Sequence, residues 1–479
     1  MPTPEDAPAP RRAANVSRET MPAVDLRPPT SDRRHPRGRR RLAFTLAAIG
    51  ALGVIAAACT RAASPQGWAP PEPVAPAGQQ LIIAAHKGNL FALPPTSQAA
   101  VWQFPPKDRS TFPVSTVTAD KLNSDIDALS VSDSTKSDLH NKVGKLNVQG
   151  NSINDLKNAV KASSASSDAK SSLNDEIDTL TKDEADALTG LKAFYGDIGV
   201  STDSKTLYPT AFKGYVYALD TATGHTIWIH KVGSDMIGGT AVSDGTVYFG
   251  SKGKQVFALD AATGKTKWTF DANGEVWSTP AVVDGSIYIT SLDGTVYSLK
   301  PEGTANWVKK PAKAGIAGSP VIVGDNVFVG AFDNRLYSLK ASDGSTVWSY
   351  KASNWFWGAP VVRDGVVYAA NLDGKVYAVD ATSGQPKWPK PFDTGSPARS
   401  SPAVAGGGLV VANKAGDVFK IDLAAGTQVG SAFNAGSIIY ANLTADSQAR
   451  VYVSPQAAQL YVLDATSELK QVSLYGLNQ

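Results

Sequence analysis

The 479-residue sequence predicts an all-β fold: an eight-bladed β-propeller of four-stranded antiparallel blades, with a helical insertion between the first two repeats. Three observations carry this. A repeat recurs about every forty residues, the length of one four-stranded blade. Within it, Gly-marked turns separate short β-branched and aromatic runs. Between its first two copies the apolar period changes from two to that of a helix.

The clearest copy is STPAVVDGSIYITSLDGTVYSLKPEGTANW, residues 278–307. Its runs 280–283, 286–290 and 295–300, and the run carrying Trp307, are separated by turns at Asp284-Gly285, Asp293-Gly294 and Gly303. That is the pattern of a four-stranded meander. One such sheet buries little alone and needs neighbours on both faces. The core returns as GYVYALDTATGHTIW (214–228), KQVFALDAATGKTKW (254–268), NRLYSLKASDGSTVW (334–348) and GKVYAVDATSGQPKW (374–388). Weaker copies are GNLFAL (88–93) with Trp102, GDVFKIDLAAG (416–426) and QLYVLDATSE (459–468). The last two lack the tryptophan, with Val429 and Val472 near its place, and Glu468 stands where a turn glycine is expected. Terminal repeats degenerate because one neighbour differs, so seven blades is the alternative count. Closing the ring removes exposed sheet edges.

Taken in order, residues 1–41 hold ten Arg and five acidic residues and no apolar periodicity, which predicts a disordered cytoplasmic tail or a long signal n-region. The net charge of +3 comes from this tail, and the rest is slightly acidic, with no basic footprint for nucleic acid. Residues 42–58 form an uncharged stretch of seventeen, the length of a signal h-region or a minimal membrane anchor. Cys59, the only cysteine, follows Ala56-Ala57-Ala58 as in a bacterial lipobox, so segment 42–59 reads as lipidation signal or uncleaved anchor. Either one places the rest outside the cytoplasm, in the cell membrane or envelope. Residues 60–72 are a Pro/Ala/Ser tether.

The first repeat spans 73–116, the insertion 117–196, and the remaining repeats 197–479. The insertion carries stripes at helical spacing: Leu122, Ile126 and Leu129; Leu139, Val143 and Leu146; Ile153, Leu156 and Val160; Leu173, Ile177 and Leu180. Ser152–Asp155 and Thr181–Glu184 read as helix-start boxes. The stripes are expected to pack helix on helix.

Trp102, Trp228, Trp268, Trp307, Trp348 and Trp388 hold a fixed place in each repeat and are expected to fill the gaps between blades. The Asp-Gly pairs supply hairpin backbone angles, and no calcium-loop pattern surrounds them. The five His are scattered, and no catalytic or metal motif is present, so no catalytic, cofactor or metal residue is assigned. One feature exceeds what a blade needs. Trp277, Trp357 and Arg399 stand three residues before Pro280, Pro360 and Pro402, in loops expected to open at the central channel. With Trp355 and Phe356 they form the candidate binding face, since such aromatic density is enriched at interaction sites.

The repeat core resembles the pyrroloquinoline-quinone (PQQ)-like β-propeller repeat, whose members include BamB-type outer-membrane assembly lipoproteins and quinoprotein alcohol dehydrogenases. The resemblance implies the fold directly. It also implies either a non-catalytic scaffold with protein partners or a PQQ enzyme, and the enzymes carry a vicinal Cys pair over the quinone. A single cysteine excludes that pair. The expectation is therefore a membrane-tethered, extracytoplasmic, non-enzymatic scaffold without cofactor, with a sensor or a carbohydrate- or peptide-binding module as the alternative.

Overall fold

The computed structural model describes residues 69–477 apart from 77–78, 96, 98 and 109–111. The tail, the apolar segment and Cys59 lie outside the described residues. Eight antiparallel sheets follow one another along the chain as blades 1 to 8: 72–104, 199–231, 240–271, 281–309, 321–351, 361–393, 403–434 and 444–476. The eight-blade expectation holds, and the degenerate seventh and eighth repeats are complete blades.

Blade 4 shows how the repeat folds. Its strands are Ala281–Val283, Ser286–Thr290, Val296–Leu299 and Ala305–Lys309, paired in sequence order. Asp284 and Gly285 have φ of 48° and 72°, the two successive positive angles of a type I′ hairpin. Blade 2 counts as five strands because Pro209 splits its second strand into Thr206–Tyr208 and Thr210–Ala211; both pieces pair with Tyr215–Asp220 in one continuous register. The first strands of blades 2 to 8 lie side by side around the axis.

The ring closes without strand exchange, because each terminal blade takes all its strands from its own repeat. Closure is by face packing: Tyr452, Leu460 and Val462 of blade 8 lie against Ile82, Ala84 and Phe91 of blade 1. The cores between consecutive blades from 2 to 6 are alike, each combining apolar side chains from two consecutive repeats.

Six seams carry the same fastening. The indole N–H of Trp102, Trp228, Trp268, Trp307, Trp348 and Trp388 donates to the carbonyl of Thr221, Ala261, Pro301, Ala341, Ala381 and Leu423 on the following blade, at 2.6–2.9 Å. Sheet register moves the missing tryptophans by one residue from Val429 and Val472. Gln428 pairs with Ile421 and Gln471 with Leu463, so Gly430 and Ser473 occupy the tryptophan position. At the seam between blades 7 and 8 the fastening is replaced: buried Lys420 donates from Nζ to the carbonyls of Gly406, Ala465 and Ser467.

The insertion is four helices, α1 (Thr116–Asp127), α2 (Asp133–Val143), α3 (Ser152–Ala162) and α4 (Ser167–Gly190). Ser115, Ser132 and Ser166 cap three of them by accepting from the backbone N–H of Thr118, Thr135 and Ala169. Neither expected helix-start box acts as one. Ser152 accepts from the N–H of Asn147, outside the helix, and Thr181 lies inside α4, its hydroxyl donating to the carbonyl of Ile177. Glu184 is instead a buried hub that accepts from the N–H and hydroxyl of Ser115 and from the Thr118 hydroxyl. The predicted stripes turn inward, and their core is continuous with Phe104, Leu207 and Tyr217 of blades 1 and 2.

Candidate functional site

At one end of the channel each of blades 2 to 8 contributes one side chain from the segment entering its first strand. In ring order these are Tyr195, Ile237, Trp277, Ala317, Trp357, Arg399 and Tyr440. The next residue is glycine in four of these segments, Gly196, Gly238, Gly318 and Gly358, where neighbouring segments touch backbone to backbone. A Cβ on Gly358 would meet the carbonyl oxygen of Arg399 at 2.9 Å, and one on Gly238 the carbonyl oxygen of Ser278 at 2.5 Å.

The structure brings Trp277, Trp355, Trp357 and Arg399 together. Ala317, the smallest ring residue, sits between Trp277 and Trp357, whose centroids are 6.4 Å apart. Phe332 lies 4.8 Å from Trp355 and 4.9 Å from Trp357. The guanidinium of Arg399 is held between two rings, 4.1 Å from the centroid of Trp357 and 4.8 Å from that of Tyr440. The result is a ladder, Trp355–Phe332–Trp357–Arg399–Tyr440, with its members half-buried. Trp277 is steadied by its own N–H, which donates to Glu275 at 2.8 Å.

Phe356 does not belong to this face. Its side chain is 1% exposed and meets Tyr377 edge-on at 5.8 Å in the core between blades 5 and 6. The residue between two mouth tryptophans must point the other way in an extended segment. Phe332, Tyr195, Tyr440 and Asp197 were missed at the sequence level. Tyr195 and Tyr440 stand where the other segments carry Trp or Arg, but their segments end in Ile198 and Leu443 instead of proline.

Two residues below the ring, side-chain oxygens link one blade to the next. Thr279 accepts from the N–H of Gly239, Ser319 from Thr279, Ser401 from Ala359, and Asn442 from Ser401, all within 2.9–3.2 Å. Asp197 reaches across, accepting from the Thr279 hydroxyl at 2.7 Å and from Asn442 Nδ2 at 3.4 Å. Beside it, burial and then the charge of Asp197 push the Glu72 carboxyl up to about 8. Above this layer the open recess holds about 70 Å3, room for one small group or side-chain tip.

The sequence profile of the family described as outer membrane protein assembly factor BamB matches residues 213–319 and 294–473, more than half of the chain. The chain belongs to this family of PQQ-like repeat propellers. Among solved structures it is similar to BamB from Moraxella catarrhalis, with 21% identity, a TM-score of 0.49, and 55% of this chain and 80% of that one covered. It is also similar to the computationally designed Ika8 protein, with 16% identity, a TM-score of 0.43, and 57% and 96% covered. No curated protein matches the sequence.

The repeat's name raises the question of a quinone. A recess of about 70 Å3 closed below by Asp197, Thr279 and Asn442 does not fit a tricyclic quinone, since pockets for such ligands span roughly 300 Å3 or more. Among the described residues no group of three His, Cys, Asp or Glu side chains could hold a metal ion.

Proposed function

We propose that this protein is a non-catalytic, extracytoplasmic scaffold that captures a partner polypeptide at the channel mouth. The BamB-like propeller supports an interaction scaffold in general terms. The observation that carries the specific reading is the half-buried ladder Trp355–Phe332–Trp357–Arg399–Tyr440. Aromatic rings and arginine are the side chains that most often dominate protein interfaces, and here they stand on rigid blade ends around a recess sized for one side-chain tip. In this reading residues 42–59 tether the scaffold to the membrane, through lipid on Cys59 or an uncleaved apolar anchor.

The test is crosslinking in envelope membranes with a photoreactive residue at position 277, followed by identification of the adduct. A discrete polypeptide adduct that falls at least tenfold in Trp357→Ala is expected. Absence of a polypeptide adduct, with saturable binding on a glycan array, would replace this reading by a carbohydrate-binding module, which the rings Trp277 and Trp357 also suit. For the tether, Cys59→Ser should abolish fatty-acid labelling; a parent protein without lipid would favour the anchor.

A further inference from the structure

Strand register fixes the place of the mouth side chain in every blade from 2 to 8. The residue four positions after it always pairs with the same point on the second strand: Ala281 with Tyr288 in blade 4, Val361 with Tyr368 in blade 6, Thr444 with Tyr452 in blade 8, and likewise in the other four. That point is tied in turn to the blade tryptophan. In blade 4, Tyr288 faces Ser298 and Ser298 faces Trp307. Blade 1 carries the same register: Trp102 faces Ala92, Ala92 faces Ile83, and Ile83 faces Glu72. Four positions before Glu72 is Trp68, the residue immediately ahead of the described chain. It also stands three residues before Pro71, as Trp277, Trp357 and Arg399 stand three before Pro280, Pro360 and Pro402.

The backbone next to that position is held at the mouth. The Ala69 N–H donates to the carbonyl of Phe194 at 3.1 Å, and Phe194 directly precedes Tyr195, the mouth residue of blade 2. The Cα of residue 68 lies only about 3.8 Å from that of Ala69 across a trans peptide. The Ala69 side chain is buried in the core, just as Ser278 and Ser400 are buried beside Trp277 and Arg399. Successive side chains of an extended segment point to opposite faces, so an inward Ala69 directs its predecessor toward the channel.

We propose that Trp68 is the eighth side chain of the mouth and a binding residue of the capture surface. Blade 1 stands between blades 8 and 2, so its mouth position falls between Tyr440 and Tyr195. An indole there continues the series Trp357–Arg399–Tyr440 toward Tyr195 and adds a large, rigid contact area of the kind that dominates interfaces. The placement follows from register alone, and only the role of the indole rests on the capture reading. A partner at the recess then meets a ring supplied by the segment that leads into the propeller.

The experiment places p-benzoylphenylalanine at position 68 of the full chain and maps its intramolecular adducts. Adducts on peptides containing Tyr195 or Tyr440 are expected. Adducts confined to other parts of the ring, or none, would overturn the placement, whether or not a partner is captured. Photocrosslinking from position 277 in envelope membranes reads the role. The polypeptide adduct should fall at least fivefold in Trp68→Ala and return in Trp68→Tyr, with the melting temperature nearly unchanged in both. An undiminished adduct in Trp68→Ala would remove Trp68 from the capture surface. A parent chain that gives no polypeptide adduct would overturn the capture reading and this role with it, while the adducts from position 68 still decide the placement.

Discussion

The indole N–H of Trp228 donates to the carbonyl oxygen of Ala261 at 2.9 Å, and the face of the same ring lies on Gly264 of the next blade. A Cβ on Gly264 would come within 2.7 Å of that ring, and its φ is +70°. The glycine and the tryptophan of the repeat are thus two halves of one contact, made between blades and not within one. Gly264→Ala is expected to cost about 2 kcal/mol or more, from the left-handed backbone and the ring together. Trp228→Phe should cost less, about 1 kcal/mol, because the Tyr208 hydroxyl also reaches the Ala261 carbonyl, at 3.2 Å. Denaturant melts of the two variants check the order.

The exchange at the next-to-last seam makes a sharper test. Gly430 holds the tryptophan position and Glu468 faces it from blade 8, where a Cβ on Gly430 would lie 2.6 Å from the Glu468 Cβ. Gly430→Trp alone should destabilise strongly, and Glu468→Gly in the same chain should recover part of the loss. A double-mutant coupling of about 1 kcal/mol or more is expected; additive losses would separate the two positions. Lys420→Met should cost about 2–3 kcal/mol, since three buried-seam carbonyls lose their donor.

Glu72 gives stability a pH slope of unusual sign for a carboxylate. The folded carboxyl keeps its proton up to about pH 8, whereas an ordinary glutamate releases it near 4.5, so the folded state binds more protons in between. Its contribution is fully present below about pH 4.5 and declines as pH rises through 8. Glu72→Gln keeps the shape and removes the charge. Melts at pH 5 and pH 8.5 should show the parent losing stability relative to the variant by about 1 kcal/mol or more. Parallel curves would mean that the Glu72 carboxyl is not shifted.

The helical insertion is bound into the ring more tightly than its sequence suggests. Its change of composition marks its limits, but periodicity does not reveal what an amphipathic stripe packs against. Phe104 meets Phe112 at 5.9 Å and Tyr217 at 5.1 Å, and the Tyr217 hydroxyl donates to the carbonyl of Ala187 in α4. Replacing 116–190 with a Gly/Ser bridge should therefore expose Phe104 and Tyr217, bind a hydrophobic dye and lower the melting temperature, instead of leaving an intact ring.

The same division holds at the mouth. Trp277, Trp357 and Arg399 were legible because each precedes a proline-marked strand, and the ring brings equivalent positions together. Tyr440 and Tyr195 were not, since their segments lack that proline and one follows the insertion. Phe332 comes from a different turn, so no register could pair it with Trp357. Phe356 was misread because adjacency in sequence does not mean a shared face in extended chain.

Arg399 links these observations to capture. Its planar guanidinium covers Trp357 on one side and Tyr440 on the other, a geometry that an ammonium cannot reproduce. Arg399→Lys keeps the charge and loses the stack, whose two ring contacts contribute on the order of 0.5–1 kcal/mol each at a half-exposed site. The melting temperature should therefore move little, while tryptophan fluorescence changes as Trp357 loses its cover. If the ladder is the capture surface, partner crosslinking from position 277 should fall at least as far in Arg399→Lys as in Trp357→Ala. Normal crosslinking with altered fluorescence would leave Arg399 a packing residue of the channel and move the capture surface elsewhere on the ring.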